Sequence, residues 1–264
     1  MKRLLVAGFG DIARRALPRL AARFEVLSIS RRTGFDLDRP ETLAIEGADA
    51  LLHLAPPPAG GELDPRTANL LAALEKRRIL PARVVYVSTS GVYGDCGGAR
   101  VDESRPIAPA TPRARRRADA ERQLTAWCRE KNIPLAVLRA PGIYAADRLP
   151  LERLRAGMPV LDDIYTSHIH ADDLAAIVVR ALEPDALPGI YNAADDTEMK
   201  LGDWLDLVAD FSGLPRPPRG PVTKAFTTES RRLDNSRLKH VLGVTLRYRT
   251  VYEGLRHEQA LGVD

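Results

Sequence analysis

Leu4-Leu5-Val6-Ala7-Gly8-Phe9-Gly10-Asp11-Ile12-Ala13 joins a short apolar run to a G-x-G-x-x-A turn. A run of this length reads as a buried strand, and Ile12, Ala16 and Leu20 then fall on one helical face. Pro18 is expected to kink that helix because it has no N–H to donate. Two glycines between a strand and a helix let the backbone turn tightly and approach a pyrophosphate. The helix start then offers free N–H groups and the positive end of its dipole. Gly8, Phe9, Gly10, Asp11 and Ile12 are therefore expected to cradle the diphosphate of a dinucleotide.

The rest of the chain supplies the context that this turn requires. Runs at 25–30, 49–54, 84–88 and 135–139 read as strands, the third of them β-branched as in a buried parallel strand. Between them, Leu63, Thr67, Leu70, Leu71 and Leu74 repeat at helical spacing, and 113–131 forms a helix with Ala120, Leu124, Trp127 and Cys128 on one face. Alternation of this kind predicts an α/β fold, a doubly wound parallel sheet of the Rossmann type, over residues 1–145. Beyond 145 proline and glycine become frequent. Residues 146–264 are expected to form a small C-terminal substrate-side region, with helices at 172–182 and 201–212 and a loop at 215–221. A segment of about 165–195 is expected to return to the sheet.

Composition narrows the class. The chain has 264 residues, 45% of them apolar and 28% charged, which is ordinary for a soluble globular protein. The net charge of +4 comes from scattered arginines, except for the run 113–117. That run leaves open a binder of nucleic acid or of an acidic ligand, with affinity falling steeply with salt. No nucleic-acid motif accompanies it, so nucleic acid is not the expected partner. The apolar start is broken by Asp11 and Arg14, which argues for a strand rather than a signal peptide. No apolar stretch approaches the roughly 20 residues of a membrane helix, and the two cysteines, Cys96 and Cys128, lack metal-type spacing. A cytoplasmic protein without membrane contact is expected. Cys96 reads as inert, with a reactive thiol as the other reading, and His168 and His170 ahead of Asp172 are not expected to bind metal.

The second strand ends in Ser30-Arg31-Arg32 rather than in the acid that would accept hydrogen bonds from an adenosine ribose. A guanidinium can instead pair with a 2′-phosphate through two parallel bonds. NADP is therefore the expected cofactor, with NAD the other possibility, and Asp36 and Leu37 are candidate contacts to the adenine.

Several segments resemble the extended branch of the short-chain dehydrogenase/reductase superfamily, the NAD-dependent nucleotide-sugar epimerases and dehydratases. His53-Leu54-Ala55 is similar to its H-L-A strand end, Thr67-Ala68-Asn69-Leu70-Leu71 to its T-x-N-L-L helix, and Ser88-Thr89-Ser90-Gly91-Val92-Tyr93-Gly94 to its S-S/T-x-x-V-Y-G segment. Leu138 to Tyr144 resembles L-R-x-x-x-x-Y, and Ile169-His170-Ala171-Asp172-Asp173-Leu174-Ala175 resembles I-H-V-D-D-x-A, which makes His170 and Asp172 a capped helix start. The resemblance implies cofactor contacts at Leu54, Ala55 and Ser88. It also implies that Thr89 is the hydroxyl that hydrogen-bonds the reacting oxygen.

One element of the family pattern is missing. Family chemistry uses a Tyr-x-x-x-Lys pair, in which an ammonium lowers the phenol's pKa so that it can exchange a proton near neutrality. Here Arg113 stands at the tyrosine's place and Arg117 at the lysine's. A guanidinium stays protonated, so Arg113 cannot exchange that proton, whereas Arg117 could still hydrogen-bond the nicotinamide ribose. Tyr93 and Tyr144 are the candidate replacements, a packing role with a satisfied hydroxyl being the other reading of each. The expected function is that of an atypical NAD(P)-binding epimerase/dehydratase-like or reductase-like enzyme. It would act on a hydroxyl or carbonyl of a sugar-like substrate, with a nucleotide-sugar as the candidate, whose diphosphate Arg231, Arg232 and Arg237 could meet. The alternative is a catalytically inactive NADP-binding sensor or regulatory protein. The family's subunits commonly pair through the helix that carries the arginine run. A homodimer there would need Asp119 and Glu121 to offset the like charges.

Overall fold

The computed structural model describes residues 1–161, 163–220 and 229–260. The first strand, β1 (Lys2–Ala7), lies inside a parallel sheet with β2 (Phe24–Ile29), β3 (Ala50–His53), β4 (Val84–Thr89), β6 (Leu135–Ala140) and β10 (Gly189–Asn192). Their order is β10-β6-β4-β3-β1-β2. Alternation along β1 decides what each face buries. Leu4 and Val6 point to one side, where α1 (Asp11–Ala21) and α5 (Ala171–Ala181) pack, and Leu5 and Ala7 point to the other, against α2 (Pro65–Lys76) and α3 (Pro112–Glu130). Both layers are apolar, as a parallel sheet with two covered faces requires.

The sequence-based boundaries shift by a residue or two at most strands. Helix α1 runs through Pro18 to Ala21, so the proline does not end it. Helix α2 starts at Pro65 because the Asp64 carboxylate accepts from Arg66 N at 3.1 Å. Leu63, grouped with that helix by spacing, is therefore outside it and exposed. No strand follows β2 on its edge; residues 31–33 and 40–42 form short 3-10 turns instead.

The switch in strand order falls between β1 and β3, where chain connections leave in opposite directions and open a crevice at the strands' carboxyl ends. Leu54 N donates to Ala7 O at 2.8 Å and Gly8 N to Ile29 O at 3.0 Å, so the ends of β1, β2 and β3 are tied together at that point.

A second, smaller core lies beside the sheet. It is built from α4 (Leu151–Arg155), α6 (Leu201–Ser212) and α8 (Val251–Ala260), with Leu154, Trp204, Leu205, Val208, Val251 and Leu255 packed together. The short pairs β7 (Gly142–Tyr144) with β9 (His168–His170) and β8 (Tyr165–Thr166) with β11 (Met199–Lys200) connect it to the main sheet. Residues 215–220 are free of helix, and residue 221 of the expected loop lies outside the described residues. Among the described residues no helix is long and apolar enough to cross a membrane.

Candidate active site

Gly8 adopts φ +91°, and a Cβ on it would lie 2.4 Å from Ala55 N and 2.9 Å from the Leu54 carbonyl carbon. Only glycine allows that approach. Gly10 is the N-cap of α1, without a side-chain cap, and a Cβ there would meet nothing within 4 Å. The first N–H groups of α1 thus face an open cradle of the kind that holds a diphosphate.

From this cradle a cavity of about 350 Å³ extends toward β2. Gly8, Phe9, Ser30, Arg31 and Arg32 line it, as do Asp36, Leu37, Leu54 and Ala55. Sequence reasoning missed Arg14, Phe35 and Arg66 on the same walls. Arg66 is held by Asp38 at 2.6 Å and by Pro56 O at 2.9 Å. The guanidinium groups of Arg14, Arg31 and Arg32 make no hydrogen bond or ion pair among the described residues, although Asp38 feels the charge of Arg31. Arg14 was legible in principle, because it sits one helical turn beyond Gly10.

On the other side of Gly10 a smaller cavity of about 160 Å³ is lined by Asp11, Ile12, Leu54, Ser88, Thr89 and Arg117. Asp11 is held by Arg15 at 3.0 Å and Arg148 at 3.1 Å. Arg117 reaches from α3 to the end of β4, donating to Val87 O at 2.9 Å and to the Tyr86 hydroxyl at 3.2 Å. Its Nε is buried and has no partner. The Arg117 side chain also lines the smaller cavity, at the position of the family's lysine, where a guanidinium fits a bound nicotinamide ribose.

Ser88 and Thr89 differ in what their hydroxyls do. Ser88 Oγ donates to Glu121 Oε1 at 2.5 Å, and Arg139 donates to both Glu121 oxygens, at 3.2 and 2.7 Å. Thr89 Oγ1 accepts only a long bond of 3.3 Å from Gly91 N and lies on the cleft.

Tyr93 and Tyr144 are turned away from the cleft. The Tyr93 ring stacks on the Arg139 guanidinium at 4.7 Å, and its hydroxyl pairs with Asn192 Oδ1 at 2.8 Å. Tyr144 sits in the small core against Trp204 and His170, its hydroxyl 3.4 Å from Thr250 O. Gly254 packs so tightly there that a Cβ would lie 2.2 Å from that hydroxyl. Burial pushes both phenols' pKa values upward, which favours the neutral packed form. The tyrosine that lines the cleft among the described residues is Tyr165, which periodicity could not single out because β8 is only two residues long.

A third cavity, of about 590 Å³, opens beyond Thr89 on the side of the small core. Thr89, Arg113, Pro141, Ile143 and Arg148 line both it and the smaller cavity, so the two communicate. Arg231 lines it too, but Arg232 binds Gly98 O and covers the Tyr165 ring, and Arg237 lies over Tyr191. Of the three arginines expected to meet a diphosphate, only Arg231 faces the cavity.

The arginine run is not one basic patch. Arg113 and Arg117 face the cleft, Arg116 is buried on Gly61 O at 2.6 Å, and Arg115 pairs with Glu62 at 3.4 Å. The four arginines thus leave α3 in three directions. Glu121 is turned inward to Arg139, whereas Asp119 accepts from Asp64 N at 2.9 Å and pairs with the exposed Arg122 of α3 at 2.5 Å; neither acid pairs with an arginine of the run 113–117. His170 caps α5, accepting from Asp172 N at 3.1 Å and pairing with Glu258 at 2.8 Å; His168 is packed against Trp204. Cys96 is buried in the loop after Tyr93.

Residues 66–194 match the family described as NAD dependent epimerase/dehydratase. Human dTDP-D-glucose 4,6-dehydratase is 25% identical to it over 146 residues, 51% of this chain and 41% of the human protein. The chain therefore spans about two fifths of that relative's length. A conserved protein of unknown function from Silicibacter pomeroyi DSS is 32% identical, with a TM-score of 0.79 over 98% of this chain and 99% of the other. The structure of RMD from Pseudomonas aeruginosa complexed with NADPH superposes with a TM-score of 0.79 over 98% of each chain at 21% identity, a likeness of fold. The matched segment contains β4 and α3, and so includes Thr89, Arg113 and Arg117 of the cleft.

Proposed function

We propose that the protein is an NADP-dependent enzyme of the epimerase, dehydratase or reductase type, acting on a hydroxyl or carbonyl of a sugar-like substrate. One observation carries this reading. A continuous cleft runs from Arg31 and Arg32, past the open cradle at Gly10, to Thr89 and Arg117, and then widens into the cavity around Arg113. Its polar walls and its position at the strand switch are those of a dinucleotide site leading to a substrate site. Three guanidinium groups without partners at the adenosine end favour the extra phosphate of NADP.

The nicotinamide, when bound, supplies the hydride acceptor and donor. Arg117, on the wall of the smaller cavity, would orient the ribose. Thr89 hydrogen-bonds the substrate oxygen, and Arg113 lends positive charge to that oxygen without exchanging a proton. Tyr165, exposed to the cavity, is the phenol that exchanges it.

Replacing Arg31 and Arg32 together with alanine should weaken NADPH binding about tenfold to a hundredfold, as expected for charge-assisted bonds to a phosphate. NADH binding should change less than about twofold, because the bonds to its diphosphate and rings remain. Titration by quenching of intrinsic fluorescence reads both, and equal losses for the two nucleotides would refute the preference. Tyr165→Phe should reduce sugar-dependent NADPH oxidation by about a hundredfold or more while leaving NADPH affinity intact. Unchanged turnover removes Tyr165 from the chemistry.

A second reading, an NADP-holding regulatory protein without turnover, is favoured by the fixed charge of Arg113 at the point where the two cavities meet. It predicts NADPH uptake with no oxidation in either form of the protein.

A further inference from the structure

We infer that the substrate carries a carboxylate close to its reacting carbon, and that Arg113 holds it. This inference rests on reading the cleft as a cofactor and substrate site. Among the described residues, three cations line the wider cavity: Arg113, Arg148 and Arg231. Arg148 is neutralised by Asp11 at 3.1 Å, and Arg231 by Glu229 at 2.9 Å, with a further bond from Arg231 to Gly94 O at 2.8 Å. Arg113 makes no ion pair and no guanidinium hydrogen bond among the described residues. One positive charge is left over, and it stands where the two cavities meet, alongside Thr89.

The surplus charge selects among anions. A carboxylate carries one negative charge at neutral pH, whereas a phosphate monoester carries about 1.5 to 2. A guanidinium also presents two parallel N–H groups at the spacing of two carboxylate oxygens. Arg113 occupies the first turn of α3, where the helix dipole adds partial positive charge. The remaining polar walls, Thr111, Tyr165 and Thr166, carry hydroxyls suited to an uncharged polyol.

Arg113 meets the reacting end rather than a distant tail, since it borders the cavity that contains Ser88, Thr89 and Arg117. The inferred ligand is therefore a hydroxy or oxo acid of sugar size.

The test is calorimetric titration of the NADP-loaded full chain with D-glucuronate, D-glucose and D-glucose 6-phosphate. D-glucuronate should bind about tenfold or more tightly than D-glucose, and more tightly than D-glucose 6-phosphate. Arg113→Gln should remove that advantage, and Arg113→Lys, which keeps the charge but not the fork, should retain part of it; melting curves confirm that both variants are folded. Equal binding of acid and neutral sugar, preference for the phosphate, uptake of none of the three, or D-glucuronate binding that survives Arg113→Gln would each overturn the inference. NADP titration alone comes first. If the chain takes up no NADP, the cofactor reading fails, and D-glucuronate is titrated into the free chain, where uptake that depends on Arg113 sustains the carboxylate site and its absence refutes it.

Discussion

Glu121→Ala should destabilise the protein by about 3–5 kcal/mol, because it strands the buried Arg139 charge without its partner. The Arg139 and Glu121 side chains are only 4% and 7% exposed, and the carboxylate holds both the guanidinium and Ser88. Removing both charges together, as Glu121→Leu with Arg139→Met, should recover most of that loss, since an apolar pair of similar volume needs no desolvated charge. Urea unfolding of the single and double variants reads the difference. A single-variant loss below about 1 kcal/mol would mean that water reaches Arg139 and that the pair is not buried in solution. The pair also has a functional consequence. It fixes Ser88 on the wall of the cleft, so weaker cofactor binding should accompany the lost stability.

Gly8→Ala should be the more damaging of two glycine replacements that look alike in sequence. The new methyl would fall 2.4 Å from Ala55 N in a backbone at φ +91°, and its neighbours are main-chain atoms that cannot swing aside. Strain and overpacking together should cost about 3 kcal/mol or more and distort the cradle. Gly10→Ala meets nothing within 4 Å and keeps a negative φ of −90°. Its methyl instead enters the space reserved for the diphosphate. Thermal melting should therefore separate the two, with Gly8→Ala melting far lower and Gly10→Ala near the parent, while NADPH titration shows both impaired. Coincident melting temperatures would show that the close approach of Gly8 to Ala55 is relaxed in solution.

Much of this arrangement was legible in the chain. The strands of the sheet repeat short apolar runs, and such runs need burial on both faces whatever follows them. The glycine turn, Ser30-Arg31-Arg32, Leu54 and Ala55 all line the adenosine-side cavity because each lies at a strand's carboxyl end, a place set by local order. The tyrosines were different. Tyr93 and Tyr144 also follow strand ends, yet their rings turn inward to Arg139 and to Trp204, partners supplied by β6 and by the small core. Tyr165 reaches the cleft from a two-residue strand that has no periodicity to read. Glu121, expected to help balance the arginine run of α3, turns inward for the same reason, since its partner Arg139 comes from β6, while Asp119 pairs with Arg122 rather than with the run.

Taken alone, the sequence determined the layered parallel sheet, its tight glycine turn between β1 and α1, and that no Tyr-x-x-x-Lys occurs in the chain. These depend on spacing within a few residues, and backbone geometry makes such spacing readable. Only the tertiary structure decided which hydroxyls and guanidinium groups face the cleft, that the sheet ends at β2, and that Arg113 alone among the cavity's cations is left without a partner. Those outcomes depend on charges and rings brought together from distant segments, where burial energy and pairing, rather than local spacing, choose each side chain's direction.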